Sequence, residues 1–135
     1  MAACWYGGAL AVAEPLRSAA QRSPDPHTDA HLGAVAMQLH AAGALLDQAA
    51  AEIDQDPHDD SGAARLRSLR VRAFIEQACS ATMSHVGRAT GAGPLCHDLR
   101  HARNVADLSV YLRQHHAERN LAELGRLVAR PENDR

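Results

Sequence analysis

Apolar residues recur along most of the chain at alternating steps of three and four positions, the spacing of one face of a helix. The clearest stripe lies in the second predicted helix and consists of Leu32, Val35, Leu39, Ala42, Leu46, Ala49 and Ile53. A third helix is predicted over residues 63–89, with an inward stripe of Val71, Ile75, Ala78, Thr82 and Val86. Arginines crowd the first half of that helix: Arg65, Arg67, Arg70 and Arg72.

The last third of the chain contains two apolar stripes that are out of phase. A fourth helix is predicted to begin near Leu99, with inward residues Val105, Leu108 and Leu112. A second stripe, which does not continue the first, consists of Leu121, Leu124 and Val128. The change of phase predicts a break within residues 113–120 and a short fifth helix after it.

Residues that favour turns separate these helices at 23–29, 55–62 and 90–94. Thr28 or Asp29 is the predicted N-cap of the second helix. A first helix is predicted over about residues 3–22, and Pro15 within it predicts a kink or a later start.

Long helices joined by short connections pack antiparallel. The predicted fold is therefore all-α, an up-down four-helix bundle with a short fifth helix. Residues 1–130 are expected to form one helical-bundle domain, and residues 131–135 a frayed tail. Trp5, Tyr6 and the adjoining glycines look like an element that packs on something upstream, which suggests that the chain begins within a larger architecture.

The composition supports a helical fold and argues against nucleic-acid binding and membrane-spanning functions. Hydrophobic residues make up 46% of the chain but aromatic residues only 3%, so alanine, the best helix former, contributes much of the core. A net charge of −2 argues against a nucleic-acid surface. No apolar run reaches the length of about 20 residues that a membrane span needs. Three widely spaced cysteines and no basic segment before Arg17 favour a reducing, cytoplasmic location without a secretory signal.

Nine histidines raise the alternative of a metal site. His27 and His31 are four residues apart, as are His97 and His101, and that spacing can bind zinc on one helix face. No third ligand or motif accompanies either pair, so solvated or capping histidines and no metal are expected. Cys96 near His97 could be a nucleophile, but the better interpretation is a small buried hydrophobe.

A glycine-rich segment, GRATGAG at residues 87–93, follows one long helix and precedes the next. Taken alone, it predicts a helix C-cap at Gly91 and a turn, although such a loop can also admit an anionic ligand. The longer stretch GRATGAGPLCHDLRHAR, residues 87–103, resembles the signature near the end of acyl-CoA dehydrogenases. There a glycine-rich loop precedes a proline and an Arg-Asp-Ala-Arg-like run, for which this chain has Pro94-Leu95 and Arg100-His101-Ala102-Arg103. The alanine-rich second helix ending in AAAEID also resembles the family, so the likeness covers about residues 5–128.

The resemblance implies the helical bundle that closes a three-part flavoprotein fold, with FAD as cofactor. The implied FAD contacts are the loop residues Arg88, Thr90, Gly91, Ala92 and Gly93. Many members place a catalytic glutamate nine residues after the first arginine of the run, but that position is Ser109 here. With an insertion after Leu112, Glu118 becomes the candidate base, and His115 or His116 is a candidate proton donor or flavin contact.

The predicted function is therefore that of a C-terminal domain or subunit of an acyl-CoA-dehydrogenase-like oxidoreductase, inactive by itself. Expected partners are further copies, as a dimer or tetramer, or a companion flavoprotein subunit, with acyl-CoA as the substrate of the complete enzyme. The alternatives are a non-catalytic oligomerisation or interaction module, and a flavin monooxygenase-type branch of the same family. A histidine-based metalloprotein is a third and weaker interpretation.

Overall fold

The computed structural model describes residues 1–129 and contains six helices in this range. They are α1 (Ala2–Arg22), α2 (Pro26–Gln55), α3 (Ala64–Thr90), α4 (Gly93–His97), α5 (Leu99–Leu112) and α6 (Ala117–Val128). The all-α prediction is confirmed, since no strand occurs within residues 1–129. The frayed tail predicted for residues 131–135 lies outside the described residues.

The three long helices α1, α2 and α3 pack on one another, α5 lies along α1, and α6 lies against α3. Contacts between opposite ends of α2 and α3 show that these two helices are antiparallel. His31 near the start of α2 is 2.8 Å from His85 near the end of α3, measured between the two Nδ1 atoms. At the other end, a guanidinium nitrogen of Arg67 is 3.8 Å from a carboxylate oxygen of Glu52.

The core is made by the helix faces that the periodicity indicated. All five residues of the predicted α3 stripe are buried, and so are Val35, Leu39, Ala42 and Ala49 of the α2 stripe. Leu32 and Leu46 of that stripe are half-buried against the core, and only Ile53 of the stripe is exposed, by half of its surface. The Tyr6 hydroxyl lies beside Gly43, and α1 runs antiparallel to α2. Because α1 begins at Ala2, only one turn before Tyr6, it does not extend as far as Ile53, and that turn of α2 stays uncovered.

Both predicted N-caps of α2 are wrong, because the helix begins earlier. Pro26 is the first helical residue, and the carboxylate of Asp25 accepts hydrogen bonds from the backbone N–H groups of His27 (3.1 Å) and Thr28 (2.9 Å). Proline suits this position because its missing N–H would have no helical partner anyway. Helix α1 does not start late either, since it runs without interruption from Ala2 through Pro15.

The break within residues 113–120 is confirmed, because α5 ends at Leu112 and α6 begins at Ala117. The predicted number of helices is one too low. Residues 93–97, which follow the turn, form the additional helix α4. The carboxylate of Asp98 then caps α5 by accepting a hydrogen bond from the backbone N–H of His101 at 3.0 Å.

Candidate functional site

A cleft of about 430 Å³, here called the polar cleft, lies between α3 and the turn that joins α5 to α6. Its lining residues are Glu76, Ser80, Met83, Ser109, Leu112, Arg113, His115, Ala117 and Glu118. Three residues singled out by the family resemblance, Ser109, His115 and Glu118, therefore share one cavity. Helix α3 adds a second carboxylate, Glu76, which the sequence pattern did not identify.

Both serine hydroxyls in the polar cleft donate hydrogen bonds to neighbouring acceptors. Ser80 donates to a carboxylate oxygen of Glu76 at 2.9 Å. Ser109 donates to the backbone carbonyl of Val105 one turn earlier in α5, at 2.7 Å. Since a neutral serine hydroxyl is a very weak base at neutral pH, the carboxylates Glu76 and Glu118 are the candidate bases of the cleft.

His115 is the most enclosed titratable group of the polar cleft, with only 6% of its surface exposed. Burial, reinforced by the positive charge of Arg72, holds the pKa of His115 below its usual 6.5, although Glu76 and Glu118 act in the opposite direction. The amide of Asn120 donates to His115 Nδ1 at 3.1 Å, which leaves the ring hydrogen on Nε2. His115 is therefore a neutral imidazole at pH 7, with one nitrogen fixed by the first turn of α6.

The predicted FAD-binding residues form an exposed corner rather than a cavity. Thr90 is the last residue of α3, and its hydroxyl donates to the Val86 carbonyl at 2.8 Å. Gly91 has a φ of 65°, and its N–H donates to the Gly87 carbonyl at 3.0 Å, so the predicted helix C-cap at Gly91 is confirmed. Gly93 already belongs to α4, and the turn itself contains only Gly91 and Ala92.

This corner fits a flavin pyrophosphate only in part. A Cβ added at Gly91 or Gly93 would meet no atom within 4 Å, so the backbone is open to close approach. Gly91 is eight residues beyond Met83, which places the corner about 12 Å further along α3 than the near edge of the polar cleft. Arg88 to Gly93 would therefore supply only one side of such a site, and a second surface would have to enclose the group.

The run Arg100 to Arg103 opens α5, as its position after Pro94 predicted. Arg100 is exposed, and Arg103 lies 3.7 Å from the Asp107 carboxylate one turn later. His101, at the position of the family's aspartate, is instead buried. An aspartate at this buried position would take a charged carboxylate out of water, which is costly without a partner.

The structure separates one of the two histidine pairs and keeps the other, His27 and His31, on α2. His97 belongs to α4 and His101 to α5, so these two histidines do not lie on one face of a single helix. Across residues 1–129, no three histidine, cysteine, aspartate or glutamate side chains are grouped so that they could hold a metal ion. Cys96 is exposed, which corrects the expectation of a buried residue; the small helix α4 buries none of its residues.

Two contacts between distant parts of the chain escaped the sequence patterns. The His31–His85 pair joins residues 54 positions apart. At the end of the molecule that holds the polar cleft, the Trp5 ring packs edge-on against His115, with 5.7 Å between centroids, while the Arg72 guanidinium lies 5.7 Å above the Trp5 ring. No local signal could have found these contacts, because they depend on how α1, α2, α3 and the α5–α6 turn pack.

Comparison of the chain with models of protein families, with curated proteins and with solved structures gives no match in any of the three. In residues 1–129, no helix combines the length and the apolar character required to cross a membrane.

Proposed function

We propose that this chain is the helical-bundle part, a C-terminal domain or subunit, of an acyl-CoA-dehydrogenase-like FAD-dependent oxidoreductase in the cytoplasm. The complete enzyme would oxidise a CH–CH bond of an acyl thioester. The proposal starts from the resemblance of residues 87–103 to the family's signature. The observation that carries it further is the polar cleft, where Glu118, Ser109 and His115 converge with Glu76 in one cavity.

Each group has a role that its surroundings allow. Bound FAD would supply the hydride acceptor of such a reaction. Glu118, at the first turn of α6 and at the cleft wall, is the candidate base for the α-proton of the thioester. Ser109 occupies the family's usual position for the base, but its hydroxyl donates a hydrogen bond to the Val105 carbonyl. A monooxygenase-type branch of the family, which works without that glutamate base, is the variant favoured by Ser109, and His115 would serve there as a flavin contact.

The order of the helices supports the same family. Helix α1 is antiparallel to α2, α2 to α3, and α5 to α1, since Gly8 near the start of α1 meets Leu108 near the end of α5. We take this order as an up-down four-helix bundle to which α6 is added, assembled as a dimer, a tetramer or with a companion flavoprotein subunit. Because the corner at Gly91 supplies one side of a cofactor site, the isolated chain should be inactive.

The test is a comparison of the purified chain with the same chain co-expressed with the segment or protein encoded immediately upstream. We expect the chain alone to show no acyl-CoA oxidation with an artificial electron acceptor, and the co-expressed form to copurify with FAD and show activity. Glu118→Gln should abolish that activity without loss of flavin absorbance, whereas Asp47→Asn, which changes an exposed carboxylate of α2, is the control and should leave the activity unchanged. Activity of the chain alone, or a co-expressed form without flavin, would contradict the proposal.

A non-catalytic interaction module is the second candidate, and the surface of α5 and α6 favours it. Helix α6 has no buried residue, and Leu121 is 41% exposed. Helix α5 exposes Leu99, Val110 and Tyr111. Soluble monomers rarely leave large apolar patches uncovered, so a docking or self-association role is consistent with this surface. A colourless, stable oligomer by size-exclusion chromatography with light scattering would favour this module over the flavoprotein.

A further inference from the structure

A second cavity, here called the α1–α5 groove, shares no lining residue with the polar cleft. It has a volume of about 490 Å³, within the range of small-molecule sites. Cys4 and Trp5 line it from α1, and Leu108 and Tyr111 line it from α5. The helices approach closely at one end of the groove, where a Cβ added at Gly8 would stand 3.2 Å from Leu108 Cδ1.

Among the described residues that line the α1–α5 groove, Asp107 has the one charged side chain, and Met1, with the α-amino group at the start of the chain, also lines the groove. Asp107 contributes a carboxylate, and the amide side chain of Asn104 stands one turn earlier on α5. None of the described side chains that line the groove is an arginine, a lysine or a histidine. Arg103 approaches Asp107 only loosely, at 3.7 Å, and both side chains are more than half exposed, so this ion pair is weak.

Tyr111 is the aromatic side chain that a ligand in the groove can reach. Trp5 is buried, and its ring already has the Arg72 guanidinium 5.7 Å from its centroid, while Tyr111 leaves 55% of its surface exposed. Aromatic faces attract organic cations, and an ammonium group is held best where rings and a carboxylate act together. An apolar body would meanwhile cover Leu108 and the ring edges.

We propose that the α1–α5 groove binds a small organic ammonium ligand with an apolar body, whose cation lies between Tyr111 and Asp107. This site is separate from the polar cleft and does not depend on the flavoprotein proposal. Since the ligand is not identified, benzyltrimethylammonium is the probe, with benzyl alcohol and phenylacetate as its neutral and anionic counterparts.

Trp5 is the only tryptophan in the chain, so its emission reports on the groove directly. In a fluorescence titration of the full chain, we expect a saturable change with benzyltrimethylammonium and binding at least threefold weaker for the other two probes. Asp107→Asn and Tyr111→Leu should each weaken binding about three- to tenfold, in line with cation–π and partly exposed charge contacts. Arg103→Gln should tighten it, because the competing cation is removed. Asp47→Asn, an exposed carboxylate of α2, is the matched control and should change nothing.

The two exposed cysteines give an independent readout. Cys4 lines the groove and Cys96 lies far along the chain in α4, so saturating probe should slow alkylation of Cys4 by iodoacetamide and leave Cys96 unchanged. Equal binding of the three probes, or unchanged affinity in Asp107→Asn, would overturn the cation assignment. No saturable response, with equal alkylation of Cys4 in the presence and absence of probe, would overturn the site itself.

Discussion

Thr82 is the one residue with a polar side chain in the buried stripe of α3, so its replacement shows what a hydroxyl group costs in this core. The side chain is fully buried in the middle of α3, and its hydroxyl has no hydrogen-bond partner within the described residues. A buried hydroxyl without a partner costs about 1–3 kcal/mol. Thr82→Val keeps the shape and nearly the same helix propensity while replacing the hydroxyl with a methyl group. We therefore expect the free energy of unfolding to rise by about 1 kcal/mol or more.

Thr90 provides the matched control on the same helix. Its hydroxyl donates to the Val86 carbonyl at 2.8 Å, so Thr90→Val removes a hydrogen bond and should lower stability by about 0.5–1.5 kcal/mol. Urea denaturation followed by circular dichroism at 222 nm measures both variants. For a chain of this length, 1 kcal/mol corresponds to a change in Tm of about 3–4 °C. If Thr82→Val destabilises the protein as Thr90→Val does, the Thr82 hydroxyl has an acceptor and the reasoning is refuted.

Three further predictions concern the site and its supports. Gly91→Ala should destabilise the protein by about 1 kcal/mol, because the φ of Gly91 is 65°. Gly87→Ala, within α3, should stabilise it by about 0.5–1 kcal/mol. Thermal unfolding in which both substitutions shift Tm in the same direction would contradict this. The pKa of His115 is lower in the folded state than in the unfolded chain, so its contribution to stability should be constant above about pH 6.5 and should fall below that pH, where the unfolded chain takes up the proton. His115→Gln should flatten that fall in the free energy of unfolding, and an unchanged slope would exclude His115 as its cause. Arg65 donates two hydrogen bonds to the Glu123 carboxylate, at 2.7 and 2.6 Å, which join α6 to α3 and lower the pKa of that carboxyl. At constant pH, Glu123→Gln should therefore speed hydrogen exchange of the α6 amides; equal exchange rates would show that the pair does not hold α6 on α3.

The candidate site was predictable to the extent that its residues lie close together in the chain. Ser109, His115 and Glu118 follow one another within ten positions, so a helix break between them brings them to one place. Glu76 is more than thirty residues away and enters the polar cleft only because α3 packs beside the α5–α6 turn. The α1–α5 groove was missed for the same reason, since its walls come from the first and the fifth helix.

Errors at helix ends had local physical causes. The N-cap of α2 was placed at Thr28 or Asp29, although the Asp25-Pro26 pair satisfies the first free N–H groups three residues earlier. Helix α4 escaped prediction because five residues are too few to show a hydrophobic period. Cys96 was expected to be buried from the general behaviour of free cysteines, but α4 offers no neighbouring surface to bury it.

Local chemistry in the sequence was enough to determine that this chain is helical and where most of its helices lie. Alanine-rich segments with a period of 3.6 residues can bury one face only as helices, and Gly91 at positive φ ends α3 where the pattern stops. The tertiary structure alone decided which faces meet. That choice leaves Ile53 uncovered, buries His115 against Trp5, and opens the polar cleft and the α1–α5 groove. The reason is that a stripe specifies that a face must be buried but not which partner buries it.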